Sequence, residues 1–271
     1  MTDLAALLKR CTVIYAPAGN AGEYSELAAN PYTGCGHECL YCYVPLAMHM
    51  KRDVFNAGAN VRPGFLCRLQ DDAEQFQRAG VPAQIFLTFS SDPYHLDDTQ
   101  PTRWALEILR DHGLGFCTLT KGGLRALADI DLFRPDRDAF ACTLTSLSDT
   151  FSRKWERRAA PPAERIAALR AFHGRGIFTW VSLEPTLNVE SSLAIIDATA
   201  PFVDLYKVGR ANYLKEITET TDWAAYTQRV IAKLQRLGKA HYIKKDLQPY
   251  LPAGYHNPLR VPQHNGARAA A

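Results

Sequence analysis

Gln84–Gly123 reads QIFLTFSSDPYHLDDTQPTRWALEILRDHGLGFCTLTKGG. Its first seven residues, QIFLTFS (84–90), form a near-continuous apolar run, the mark of a strand covered on both faces. Arg103–Asp111 follows as a helix, closed by Gly113. FCTLT (116–120) is a second apolar strand, and it runs into Lys121-Gly122-Gly123. Strand, helix and strand of this kind make one βαβ unit with its strands parallel.

The unit repeats toward the C-terminus. Strands are expected at FACTLT (140–145), IFTWVSL (177–183), VDLYKV (203–208) and Ala240–Lys244, with helices at Pro161–His173, about Val189–Ala198 and about Trp223–Leu237. Toward the N-terminus the sequence predicts a helix from about Leu69 to Arg78 and a short strand at CTVIY (11–15). About six such units in 271 residues describe an α/β protein, an incomplete (β/α)6 barrel of TIM type. The expected division is a lead-in (1–29), a barrel domain (30–247) and a tail (248–271) rich in Pro, Gly and Ala that extends over the surface.

Composition sets outer bounds. Apolar residues make up 47%, which fits a globular chain, and a net charge of +3 does not by itself argue for nucleic acid. No run approaches the ~18 apolar residues of a membrane helix. Seven cysteines, an odd number, without an apolar leader at the N-terminus predict a reducing, cytoplasmic setting. Cys11 and Cys67 read as buried packing residues.

In parallel sheets the chemistry sits at the carboxyl ends of the strands. Those ends carry Ser90, Ser91 and Asp92, then Thr120 and Lys121, then Thr143, Thr145 and Ser146, then Ser182 and Glu184, then Lys207, Gly209, Arg210 and Asn212. A hydroxyl there can equally cap a helix or close a turn. A lysine inside or directly after an apolar strand is costly unless it meets an anion. Lys121 and Lys207 are therefore read as anion partners, with Asp92 or Glu184 as one candidate anion. Glu184-Pro185 also stands where a barrel enzyme would hold a substrate contact or general base. Between the fourth strand and its helix, Arg153, Lys154, Arg157, Arg158 and Arg165 form a basic cluster beside Phe151 and Trp155. It reads as a solvated helix face or as a phosphate contact.

Chemistry concentrates in Asn30–Pro45, NPYTGCGHECLYCYVP, where Cys35, Cys39 and Cys42 are spaced C-x3-C-x2-C. Three neighbouring thiolates suit a soft metal centre, and a closed structural site would want four ligands. Gly34 and Gly36 would let the backbone wrap closely around such a centre. His37 leaves a Cys3His zinc site open as a reading, which would make the chain a nucleic-acid-binding module; Cys39 and Cys42 alone would form a redox pair.

This loop resembles the cluster motif of the radical S-adenosylmethionine (SAM) enzymes, down to an aromatic, Tyr41, before the last cysteine. SSDPY (90–94), TLTKGG (118–123), TLTSLSDTF (143–151), YKVGRAN (206–212) and YIKKDL (242–247), in that order after the cysteines, resemble its spore photoproduct lyase-like branch, also described as DNA repair photolyase-like. The resemblance spans roughly residues 30–247. It implies a partial barrel of the radical SAM type, a 4Fe-4S cluster on Cys35, Cys39 and Cys42, and SAM as cosubstrate. It implies reductive cleavage of SAM to a 5′-deoxyadenosyl radical that takes hydrogen from an organic substrate. It also implies an electron donor such as flavodoxin or ferredoxin. Carried over residue by residue, Ser91 and Asp92 lie toward the SAM amino group and Lys121 toward its carboxylate, with Ser90 also among the cofactor contacts. Thr143 or Thr145 faces the methionine or ribose, Lys207 joins the cofactor contacts, and Tyr41, Tyr43 and Glu184 stand nearest the reaction. One departure matters: the lyase has a cysteine where this chain has Phe89. A nucleic-acid lesion and a small metabolite are the leading substrate classes, with methylation and peptide modification as alternative reactions.

Overall fold

The computed structural model of the protein describes residues 4–257. β1 (Leu27–Ala28) opens the main sheet, and β2 (Tyr32–Thr33) with β3 (Asn60–Val61) forms a small antiparallel pair within the long connection that follows. The main sheet continues with β4 (Gln84–Leu87), β5 (Gly115–Thr120), β6 (Ala139–Thr143), β7 (Phe178–Thr186), β8 (Leu205–Arg210) and β9 (Ala240–Ile243). Its order is β1-β4-β5-β6-β7-β8-β9, and every adjacent pair is parallel. The seven strands curl into an incomplete barrel, as the alternation of strands and helices predicts.

The apolar strands are two-faced, and their alternation separates two cores. Ile85, Leu87, Phe116, Phe140, Cys142, Val181 and Val208 pack outward against the helices. Phe86, Cys117, Ala139, Ala141, Trp180 and Leu205 fill the barrel interior. The same parity carries Lys121, Thr143, Ser182, Glu184, Lys207 and Lys244 toward the inside. The helices form where expected. Phe65–Ala79 buries Phe65, Leu69, Ala73 and Phe76 along one stripe and ends at Gly80 in the left-handed region. Cys67, expected to be buried, lies on the outer face of this helix and is exposed.

The strand expected at 11–15 is not formed. The backbone N–H groups of Thr12, Val13 and Ile14 instead all donate to the buried carboxylate of Asp72, at 2.7–3.0 Å, and only Tyr15 bridges the sheet, at Ala28. The charged acceptor satisfies the donors that a ladder would have used.

β1 and β9 are the two sheet edges, and the segment before β1 spans the gap between them. Glu23 Oε1 accepts from Lys245 N (2.7 Å) and from Tyr242 OH (3.1 Å), and Asn20 Nδ2 donates to Asp246 Oδ2 (3.2 Å). The lead-in thus closes the open flank near the barrel mouth. Within the tail, Asn257 exchanges two hydrogen bonds with the backbone of Ile243 on the β9 edge, at 2.8 and 2.7 Å. The rest of the expected tail, 258–271, lies outside the described residues. Among the described residues, no helix is long and apolar enough to cross a membrane.

Candidate active site

The cysteine loop leaves β1 at the carboxyl end of the sheet and is bolted down on all sides. Asn30 Oδ1 accepts from Thr88 Oγ1 (2.7 Å) and Phe89 N (2.8 Å), and Ser91 Oγ donates to Gly34 O. Gly34 has φ +88°, and a Cβ there would meet Gly58 O at 2.3 Å, so only glycine fits. Cys35 N donates to Phe55 O (2.8 Å), Leu40 N to Trp155 O (2.8 Å) and Arg158 N to His37 O (3.1 Å). Arg52 holds the carbonyls of Cys39 (3.1 Å) and Cys42 (2.8 Å).

Cys35, Cys39 and Cys42 are free thiols that line one wall of a cavity of about 560 Å³ at the barrel mouth. Burial pushes all three thiols up, Cys39 to about 12, so a bound cation is what would make them thiolates. His37 does not join them. Arg125 Nη2 donates to its Nε2 (2.9 Å), and its Nδ1 lies 3.4 Å from Asp92 Oδ2. Among the described residues no three His, Cys, Asp or Glu side chains converge on one point as a single ion requires. This geometry disfavours the Cys3His reading. A polynuclear cluster, with a separate iron for each thiolate, makes no such demand.

Behind Cys39 lies a buried ion pair. Glu156 Oε2 and Arg165 Nη2 are 2.7 Å apart, with both side chains inaccessible. Tyr41 OH donates to Glu156 Oε1, Ser152 Oγ to Glu156 Oε2 (3.0 Å), and Arg165 Nη1 to Thr143 O (3.0 Å). Burial raises the Tyr41 phenol well above its usual range, and the Glu156 carboxylate raises it further. Of the basic cluster expected at 153–165, Arg165 is therefore structural, while Arg153 pairs with Asp149 (2.8 Å) and Arg158 with Glu38 (3.3 Å).

Next to the thiols, Asp92 takes Thr120 Oγ1 and Tyr94 N (2.9 Å) on one oxygen and Lys121 N (2.7 Å) on the other. Burial alone would raise its carboxyl, but His37 and Lys121 outweigh that and hold it well below the carboxylate range. These protein donors occupy much of the acceptor capacity that the SAM amino group was expected to use. Asp92 acts foremost as a brace between the ends of β4 and β5. The Lys121 ammonium faces the cavity over the Tyr41 ring (5.9 Å), with no hydrogen-bond acceptor among the described residues. Burial works against its charge, yet Cys39, Glu156 and Asp92 keep its pKa above the ordinary value.

The far wall was only partly anticipated. In step with Trp180 and Ser182 along β7, Glu184 faces the cavity, just where the register with β8 shifts between Leu183 and Thr186. Its Oε2 accepts from Tyr24 OH and Lys244 Nζ. Its carboxylate lies against Gly209, where a Cβ would meet Cδ at 2.8 Å. The expected pairing of Glu184 with Lys207 is not formed. Lys207 is paired in register with Ser182, two residues below Glu184 along β7, so it lies beneath the cavity. Its Nζ donates to Tyr24 O (2.7 Å) and stands 4.5 Å from the Trp180 ring. Burial, with Lys244 adding to it, lowers its pKa to about 7, against weaker pulls from Cys117 and Glu23.

Tyr41, Tyr43, Ser91, Asp92, Lys121, Thr143 and Glu184 line the cavity with the cysteines. Ser90 does not, because its hydroxyl is spent on Tyr32 O (2.6 Å). Thr145 is buried past the end of β6 and is likewise off the cavity. Sequence reasoning missed Tyr24, Asn56 and Lys244 as lining residues. Asn56 Oδ1 is buried without a hydrogen-bond partner, an acceptor left for a ligand.

Fold and site together define a partial-barrel protein with three thiols gathered at its carboxyl-end mouth. A profile described as "Radical SAM superfamily" matches residues 29–189, and the chain belongs to that superfamily. Its members use a 4Fe-4S cluster and SAM. Among solved structures, spore photoproduct lyase complexed with dinucleoside spore photoproduct aligns with TM-score 0.64 at 14% identity, covering 87% of this chain and 80% of that one. Streptococcus suis SuiB bound to precursor peptide SuiA aligns with TM-score 0.62 at 13% identity, covering 82% of this chain and 49% of that one. This chain thus spans about half the length of SuiB. Methylornithine synthase (PylB) aligns with TM-score 0.51 at 14% identity, covering 81% and 65%. At these identities the likeness is one of fold. No curated protein matches the sequence.

Proposed function

We propose that Cys35, Cys39 and Cys42 hold three irons of a 4Fe-4S cluster and that SAM binds across the carboxyl ends of β4–β7. The observation that carries this reading is the meeting of three free thiols and an ammonium, Lys121, with no hydrogen-bond acceptor among the described residues, on one cavity. The cluster and SAM together supply a 5′-deoxyadenosyl radical, which takes hydrogen from an organic substrate. Lys121 receives the SAM carboxylate, a charge-assisted contact. Thr143 and the Asn56 carboxamide are within the same cavity and offer polar contacts to the rest of SAM. Tyr41 shields the thiols, held there through Glu156 and Arg165. Tyr43 and Glu184 face the substrate side, with Glu184 oriented by Tyr24 and Lys244.

For the reaction itself, lyase-type chemistry on a nucleic-acid lesion rests on the resemblance to spore photoproduct lyase. Phe89 stacks on Phe86 (4.5 Å between ring centres) and lacks the weak S–H bond from which a cysteine would return a hydrogen atom to a product radical. A reaction that does not need a thiol at that position, including modification of a peptide or small metabolite, is the second reading. The test is anaerobic: reconstitution with iron and sulfide, addition of SAM and dithionite, and assay of 5′-deoxyadenosine. The wild type should form it and a Cys35→Ala/Cys39→Ala/Cys42→Ala variant should not. Zinc without sulfide in the wild type would overturn the proposal.

A further inference from the structure

The cysteine side of the cavity, with Lys121, is committed to the cluster and SAM; the far side is not. That side is built by the lead-in and by the ends of β7 and β8, and its side chains hold binding capacity that the protein itself does not fill. Arg210 ends β8, in register with Thr186, and is half-buried on the cavity. Its Nε donates to Asn212 Oδ1 (3.2 Å), while its two Nη groups have no acceptor and no ion-pair partner among the described residues. A chain of side chains holds Asn212 in turn: its Nδ2 donates to Asp246 Oδ2 (2.5 Å), which also accepts from Asn20 Nδ2 (3.2 Å). Asp246 itself does not line the cavity. The other cation of this wall, Lys244, is paired with Glu184. Both hydrogen bonds that Glu184 accepts fall on Oε2, so Oε1 has no donor among the described residues. At the rim, Tyr213 is 74% exposed with φ +63°. A non-glycine residue holds that conformation at a cost, and such residues gather at ligand sites.

Resting on the function proposed above, we infer that the Arg210–Tyr213 end of the cavity is the substrate subsite, and that the substrate is an anion with a planar part. Arg210 receives its phosphate or carboxylate group, and its ring lies against Tyr213. A guanidinium with both Nη groups free matches the paired oxygens of either oxyanion. Lys121, assigned to the SAM carboxylate, does not compete for that group. A neutral substrate would cover Arg210, exclude water from it and leave its donors unpaired, a cost that an anionic one removes. Tyr213 offers a ring face at the rim, and Tyr43, 46% exposed, offers a second from the cysteine loop. Glu184 Oε1 adds a further requirement, an N–H or O–H donor on the substrate between these contacts.

The test is calorimetric titration of the reconstituted protein, with SAM bound and no reductant. The probes share one benzene ring: phenyl phosphate, benzoate and the neutral benzyl alcohol. At least one of the two anions should bind about tenfold or more tightly than benzyl alcohol, the value of a charge-assisted hydrogen bond. The tighter anion tells a phosphate ester from a carboxylate substrate. Arg210→Met should abolish the preference for anions and Arg210→Lys should restore part of it, with SAM affinity and cluster content as in the wild type. Tyr213→Ala should weaken all the probes alike and keep the preference. Equal binding of the probes by the wild type, no binding of either anion, or anion binding that survives in Arg210→Met would overturn the inference. So would loss of SAM affinity in Arg210→Met, which would give the guanidinium to the cosubstrate instead. A wild type that takes up no cluster, yet binds an anionic probe through Arg210, would overturn the proposed function and keep the anion site.

Discussion

Two lysines at strand ends show how far a residue can be read alone. Both were expected to meet anions because each interrupts or follows an apolar strand. Lys121 faces the cavity with its ammonium unpartnered among the described residues, and Lys207 lies two rungs too low, over Trp180. Sequence shows the parity of a side chain but not its height in a barrel, which depends on register with strands far away in sequence. The two lysines therefore differ in what mutation does. Lys121→Met should weaken SAM binding about 10- to 100-fold, the value of a charge-assisted hydrogen bond, with cluster content unchanged; titration calorimetry of the reconstituted protein checks it. For Lys207 the folded pKa of about 7 lies below the ordinary 10.5. Between those values the unfolded chain holds a proton that the folded chain lacks, so this group makes stability rise with pH. The slope is at most about 1.4 kcal/mol per pH unit. Lys207→Met should flatten that rise, as urea denaturation at pH 7 and pH 9.5 would show.

At the scale of elements, the strands and most helices were legible because each needs only a local apolar pattern, and the cysteine loop because its ligands are seven residues apart at most. What holds the loop was not legible. Asn30 reaches Thr88, Tyr41 reaches Glu156, and Glu184 reaches Lys244, each across more than fifty residues. The strand expected at 11–15 failed for the same reason, since the decisive acceptor is Asp72 on a distant helix. The Glu156–Arg165 pair, close in sequence itself, becomes part of such a tie through Tyr41, joining the segment after β6, its following helix and the cysteine loop. Arg165→Met leaves Glu156 buried beside Tyr41 without its main counter-charge. It should lose about 3–5 kcal/mol of stability, read as a lower urea midpoint. Combining it with Glu156→Gln should recover part of the loss, because the stranded charge is then removed as well.

The whole molecule is a barrel that lacks strands, and its stability depends on what covers the missing flank. The boundary drawn at residue 29 sets a lead-in apart from the barrel, yet the lead-in supplies Tyr24 to the cavity and Glu23 to the closure. Glu23 is almost inaccessible and accepts from Lys245 N and Tyr242 OH, with Lys244 Nζ at 4.0 Å. Removing it should therefore act at two distances. Glu23→Ala deletes two hydrogen bonds to a charged acceptor, each worth about 1.5–3 kcal/mol, so the urea midpoint should fall. Hydrogen exchange should also quicken at Tyr242–Lys245, on the far edge of the sheet in sequence, while the amides of β5 and β6 keep their protection. Lys244 would remain held by Glu184 and Tyr24 by Ser182 and Glu184, so the cavity wall should survive a local opening. Uniform acceleration across all strands would instead mean that the lead-in is part of one cooperative unit with the barrel. Unchanged exchange at 242–245 would mean that the flank is closed by other contacts.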